Sequence, residues 1–220
     1  MKLIAVLLLT AVLGSCTAKN AVLNQVIDNV VANMKVNINQ AGKDVIKVPD
    51  VDEDWHQKVL FITFRGHASC RDGTAKSFAS VKRTGDATVT TSGNRAIVKV
   101  RLALADLEVN FPHCTLKANH LFTVSHHLNI KVNSNTIDLQ LSLNGKGPQC
   151  VASLDHVILG QFNDVKIDSG RGLVHKIENN VIHGAINQFH DSIVGAVDDI
   201  LADAVRKALP KLDLCSKISH

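Results

Sequence analysis

Between Leu116 and Val132 the chain alternates apolar and polar residues, and this run limits the possible fold more than any other feature of the sequence. Leu116, Ala118, Phe122, Val124, Leu128, Ile130 and Val132 take the even positions, with His120 and His126 among them. Thr115, Lys117, Asn119, Thr123, Ser125, His127, Asn129 and Lys131 take the odd ones. Successive side chains of a strand point to opposite faces, so a period of two predicts a strand with one greasy and one wet face. Asn133-Ser134-Asn135 is a turn signal, and the parity flips across it: Ile137, Leu139, Leu141 and Leu143 alternate with Asp138, Gln140 and Ser142. The pattern predicts a long antiparallel hairpin. A strand over 116–132 would span about 56 Å, whereas a compact globule of this size is roughly 40 Å across. Elements longer than the globule predict an elongated rod.

Two helical stretches flank the β-rich part. Residues 20–40 carry Val22, Val26 and Val30 four apart, with Leu23, Ile27, Val31 and Met34 on the neighbouring row and Asn24, Asp28 and Asn33 opposite. That stripe predicts an amphipathic helix. Residues 174–209 keep the helical period through Ile177, Val181, Phe189, Ile193, Val197 and Ile200 until Pro210, a span of about 54 Å. The acidic KVPDVDEDWH segment, 47–56, reads as a solvated connector. Residues 57–66 are β-rich, and Ser92-Gly93-Asn94 is a turn signal leading into alternating residues over 95–111. A further β-like stretch ends near Ile167, and the loop Asp168-Ser169-Gly170-Arg171-Gly172 opens the last helix. The fold expected is α+β: a curved antiparallel sheet wrapped around a long C-terminal helix, with an amphipathic N-terminal helix beside it.

The N-terminus sets the compartment expected. Met1-Lys2 precedes an apolar run from Leu3 to Leu13, too short for a membrane span of about 20 residues, and Gly14 to Ala18 are small residues fit for cleavage. Residues 1–18 read as a secretory signal peptide and 19–220 as one domain; Leu13-Gly14-Ser15-Cys16 also fits a lipobox loosely. Later segments show no apolar run of membrane length, so no transmembrane anchoring is expected. Cys70, Cys114, Cys150 and Cys215 predict two disulfides. Folding the expected hairpin about 133–135 brings Cys114 near Cys150, which leaves Cys70 for Cys215. The net charge of +4 is dispersed, and with one Trp and no Tyr nothing points to nucleic acid.

Catalytic and metal motifs are weak. Phe111-Pro112-His113-Cys114 and 168–172 are faintly similar to the histidine and serine loops of trypsin-like proteases, yet Ser169 lacks the preceding glycine and GxSxG is absent. No enzyme and no cofactor are expected. His126 and His127 are strand neighbours on opposite faces and cannot share one ion. His175, His183 and His190 lie about 11 Å apart on the expected helix, too far for one metal. His120 and His126, on the apolar parity, would charge near pH 6 and loosen a bound guest.

Ile46-Lys47-Val48-Pro49-Asp50, followed by Ser80-Val81-Lys82-Arg83-Thr84-Gly85-Asp86-Ala87-Thr88-Val89, resembles the KVPD-like and KRxGDAxV segments of the group 7 allergens of dust mites. The resemblance implies a half-size relative of the bactericidal/permeability-increasing and lipopolysaccharide-binding proteins and of insect juvenile-hormone carriers. In these a curved sheet wraps a long helix and holds a lipid. It also implies an arthropod source. The cysteines depart from the mite pattern, so no disulfide pairing is carried over. The function expected is secreted, non-catalytic binding of a lipid or other apolar molecule. The rival reading is innate-immune recognition of lipopolysaccharide or another microbial surface lipid. The groove would be lined by Val26, Val30, Phe122, Val124, Leu128, Ile130, Leu139, Leu141, Phe189, Ile193 and Val197.

Overall fold

The structure, a computed structural model, describes residues 2–59, 62–118, 122–160, 162–168 and 194–218. Helix α1 (Lys2–Gln40) leads into a β-rich body. Strands β1 (Val45–Lys47), β2 (Val51–Val59), β3 (Ile62–Arg71), β4 (Thr74–Lys76), β8 (Leu107–Ala118), β9 (Phe122–Ser134) and β12 (Asn163–Asp168) form one antiparallel sheet. Strands β5 (Val81–Arg83), β6 (Thr88–Ser92), β7 (Arg95–Leu104), β10 (Ile137–Asn144) and β11 (Val151–Leu159) form a second. Helix α2, over 194–208, and a one-turn α3 (Leu214–Lys217) close the described chain. The expected mixture of antiparallel strands with an N-terminal and a C-terminal helix is present, but its strands are divided between two sheets.

In the first sheet β8 is the axis. One edge pairs with β9 along its length, and β12 lies beyond. The other edge is shared end to end by β3 and β4. In the second sheet β7 has β10 on one edge and β5 with β6 on the other. The chain passes from sheet to sheet between β4 and β5, β7 and β8, β9 and β10, and β11 and β12.

Those crossings overturn several sequence expectations. The segments before and after 133–135 do not form a hairpin: β9 pairs with β8 and β12, while β10 pairs with β7 and β11. The run 116–132 is not one strand, since β8 and β9 are antiparallel neighbours with Ala118 opposite Phe122. That pairing sets even against even, so the apolar parity survives the reversal and the break leaves no trace in the alternation. The run 95–111 divides likewise at 105–106, between β7 and β8. The acidic connector is also corrected. Residues 51–56 belong to β2, with Val51 buried and Asp52 and Asp54 exposed. Arg71 on β3 bonds Asp50 and Asp52, and His67 lies 2.8 Å from Asp52 and 3.0 Å from Asp54. Alternate acids with cross-strand cations form the wet face of a strand.

The disulfides are Cys70–Cys114 and Cys150–Cys215, not the pairs the expected hairpin implied. With β9 and β10 in different sheets, Cys114 and Cys150 no longer meet. Cys70 and Cys114 are instead directly opposite on β3 and β8. Cys150, just before β11, ties α3 to the second sheet.

Both helices bury the stripe their period predicts. On α1, Leu23, Val26, Ile27, Val30, Val31, Met34 and Ile38 are buried, whereas Val22, expected on the stripe, is 49% exposed. The helix ends where Gly42 adopts φ +66° and the Lys43 N–H reaches back to the Ile38 carbonyl, a left-handed cap that glycine accepts without strain. On α2, Val197, Ile200, Leu201, Ala204, Val205 and Ala208 are buried, and Pro210 lies in the short turn that follows, where a stop was expected. The expected helix positions before 194, with Phe189 and Ile193, lie outside the described residues. Side chains from both helices and both sheets merge into one apolar core.

Candidate apolar-ligand site

The inner face of the first sheet is built from alternate residues: Leu107, Val109 and Phe111 on β8, Leu128, Ile130 and Val132 on β9, and Val51 and Cys70 toward the other edge. Opposed positions in the second sheet are Val98, Val100 and Leu102 on β7 and Ile137, Leu139, Leu141 and Leu143 on β10. Among the expected lining residues, Val26, Val30, Leu128, Ile130, Leu139, Leu141 and Val197 belong to this one core and none is more than 5% exposed. Phe122 and Val124 stand on β9 at the same parity as Leu128 and Ile130, opposite Ala118 and Leu116 of β8. The apolar parity of Leu128 and Ile130 therefore continues along β9 to Val124 and Phe122. Nothing polar in the backbone register interrupts it apart from the position of His126, opposite Cys114. His120 lies outside the described residues.

Polar groups fix the frame around this surface, and sequence reading missed the most important of them. The Asn135 amide, 6% exposed, accepts from the Leu104 N–H and donates to the Leu104 carbonyl, both at 2.8 Å. It thus replaces a strand neighbour at the end of β7, where the chain crosses between sheets. Within Asn133-Ser134-Asn135 nothing marks which asparagine turns inward. The loop 84–87 interrupts the second sheet's edge between β5 and β6 and clasps α1. Arg83 donates to Asp28 at 2.8 and 3.0 Å and to the Gly85 carbonyl at 3.0 Å. Asn24 donates to Asp86 at 2.8 Å and accepts from the Ala87 N–H at 2.9 Å. The Arg83 hydrogen bond holds the Asp28 carboxyl below its ordinary range. The KRTGDA run is thus a helix clasp whose partners, Asn24 and Asp28, could have been sought on the polar face of α1.

At the other end Asn37 donates to the Ala204 carbonyl at 3.1 Å, and Lys43 bonds Asp203 at 3.3 Å, joining α1 to α2. Asp198 accepts from the Leu159 N–H at 2.7 Å, and burial pushes its carboxyl up. The described surface also carries clefts with polar linings. A cleft of 530 Å³ on the second sheet is lined by Lys99, Arg101, Asp138, Gln140 and His156. Another, of 550 Å³, lies over Pro112, His113, Cys114, Thr115, Ser125 and His127. Ser169, the other half of the protease-like pair, lies outside the described residues. Among the described residues no helix is long and apolar enough to cross a membrane, and no three His, Cys, Asp or Glu side chains gather as ligands for a metal.

This arrangement is similar in fold to the crystal structure of lipopolysaccharide binding protein, with a TM-score of 0.53 and 13% sequence identity over 90% of this chain. The chain spans 39% of that protein's length. A family model described as Group 7 allergen matches residues 19–209, and the chain belongs to that family. Likeness to the crystal structure of Epiphyas postvittana Takeout 1 is faint: a TM-score of 0.26 and 18% identity over 76% of each chain, on which nothing rests. No curated protein matches the chain.

Proposed function

We propose that this protein is a secreted, non-catalytic binding protein that shelters a lipid or similar apolar molecule on the inner face of its first sheet. The observation that carries the reading is the apolar register of β8 and β9, which resumes beyond the bulge at Pro112 and His113 and sets Leu116 and Ala118 opposite Val124 and Phe122, with His126 its one polar position. In this reading the sheets curve around the C-terminal helix. Leu128, Ile130, Leu139, Leu141, Val26, Val30 and Val197 form the closed floor, while Phe122, Val124, Phe189 and Ile193 line the open part. A fourteen-carbon acyl chain buried there would contribute about 11 kcal/mol gross, at about 0.8 kcal/mol per methylene, with no catalytic group required. The family match begins at residue 19, which supports removal of residues 1–18 as a signal peptide and an extracellular location. The two disulfides suit that location.

Carriage is favoured over recognition of microbial lipid because the net charge is small and its cations are dispersed along the chain. Several of them, Lys43, Arg71, Lys76, Arg83, Arg95 and Lys207, are each paired with an acid. The test is uptake of a fluorescent fatty acid by the mature protein and by Val124→Arg. Saturable uptake at 20 mM and 500 mM salt alike, lost in the variant, is expected. Uptake that collapses with salt and prefers lipopolysaccharide would favour recognition, and equal binding by the variant would move the guest elsewhere. If His120 and His126 act as a release switch, affinity falls between pH 7.5 and pH 5; equal values would end that part.

A further inference from the structure

The β8–β9 ladder is interrupted once. Phe111 is opposite Leu128 and Cys114 is opposite His126, so Pro112 and His113 together face the single residue His127. This is a β-bulge, a device that bends a strand and re-aims a side chain. It brings two exposed histidines, one from each strand, to the rim of the 550 Å³ cleft on the wet face. Among the described residues, neither imidazole has a hydrogen-bond or ion-pair partner. The cleft floor carries two hydroxyls, Thr115 and Ser125, bonded to each other at 2.9 Å. No carboxylate lines it. The nearest charge by register is Arg71, opposite His113 on β3, whose guanidinium is already engaged by Asp50 and Asp52. On the far side of β9 the nearest described acid is Asp168, opposite Asn129.

We propose that His113 and His127 form a surface site for a transition-metal dication of the Zn²⁺ or Cu²⁺ class. Two neutral ring nitrogens from neighbouring strands are borderline-soft donors, which suit these ions and not Mg²⁺ or Ca²⁺. Water would complete the coordination shell, in a cleft that the Thr115 and Ser125 hydroxyls also line. Bound metal would clip β8 to β9 at the bulge, next to the Cys70–Cys114 bond.

Calorimetric titration of the mature, disulfide-intact protein with ZnCl₂ and with CuCl₂ tests the proposal. One ion per chain is expected, with Cu²⁺ bound more tightly than Zn²⁺ and MgCl₂ giving no signal. His113→Gln and His127→Gln should each weaken Zn²⁺ binding at least tenfold, while His156→Gln, on the other sheet, leaves it unchanged. Both substitutions lie on the exposed face, and an unchanged melting temperature without metal establishes that each variant is folded. Zn²⁺ should raise the melting temperature of the parent protein but not of either variant. Full affinity in either His113→Gln or His127→Gln, or equal loss in His156→Gln, would overturn the proposal, as would no binding tighter than millimolar in the parent.

Discussion

The base and the tip of the first sheet use the same alternation for different ends. At the base, Leu107, Val109, Phe111, Ile130 and Val132 join a core that includes the second sheet and both helices, with every one of them at or below 3% exposure. Toward the tip the described order comes from the ladder itself, the Cys70–Cys114 bond, and surface pairs such as His67 with Asp52 and Asp54. Apolar periodicity therefore specifies which face is greasy, and only the elements stacked on that face decide whether it becomes core. The base should control stability, and the tip is where the proposed guest would lie.

The largest effect expected from breaking this contrast is at the base. Leu141→Ala removes a side chain 1% exposed and should cost about 3–4 kcal/mol in urea unfolding, whereas Val124→Ala at the tip should cost less than half as much. Asn135→Ala comes next. It leaves the Leu104 N–H and carbonyl without partners at a buried crossing and should cost about 2–3 kcal/mol.

How far the sequence revealed this contrast depends on the element. The stripes of α1 and α2 were legible because a 3.6-residue period matches little else, and so was the Gly93 turn, whose φ of +59° a glycine adopts readily. The four passages between sheets were not legible. A crossing and a hairpin turn can shift parity alike, so Asn133-Ser134-Asn135 reads as either, and the cysteine pairing fell with that choice. The acids of β2 hid a strand because Pro49 followed by Asp50, Asp52, Glu53 and Asp54 fits a solvated connector as well as a strand's wet face. The candidate lining was legible as parity, but parity alone does not separate floor from opening.

Smaller effects sharpen the electrostatic side. Asp28 and Asp198 both sit where a helix meets the second sheet, and they should respond oppositely. Arg83 lowers the Asp28 pKa, so that pair stabilises the fold above the ordinary carboxylate range, and the gain is lost as pH falls through the lowered value. Burial raises the Asp198 pKa, so its ionised form is disfavoured in the folded state, and its contribution improves as pH falls through the raised value. At pH 7, Asp28→Asn should cost about 0.5 kcal/mol, given its exposure. Asp198→Asn keeps an acceptor for the Leu159 N–H and should be neutral or slightly stabilising. Thermal melts at pH 7 and pH 4 check both signs. The smallest effect is at the outer face toward the tip: Arg71→Ala, which breaks exposed pairs with Asp50 and Asp52, should lower the melting temperature less than Asp28→Asn does, and less still in 1 M salt.

The most direct measurement is native mass spectrometry of the protein purified without detergent, followed by organic extraction. A mass above that of the disulfide-bonded polypeptide, which disappears on extraction as an apolar molecule of defined size, is the predicted result. A bare polypeptide mass that stays bare after incubation with fatty acids, sterols and terpenoids would mean that the interior is filled by its own side chains, and the binding function would fall.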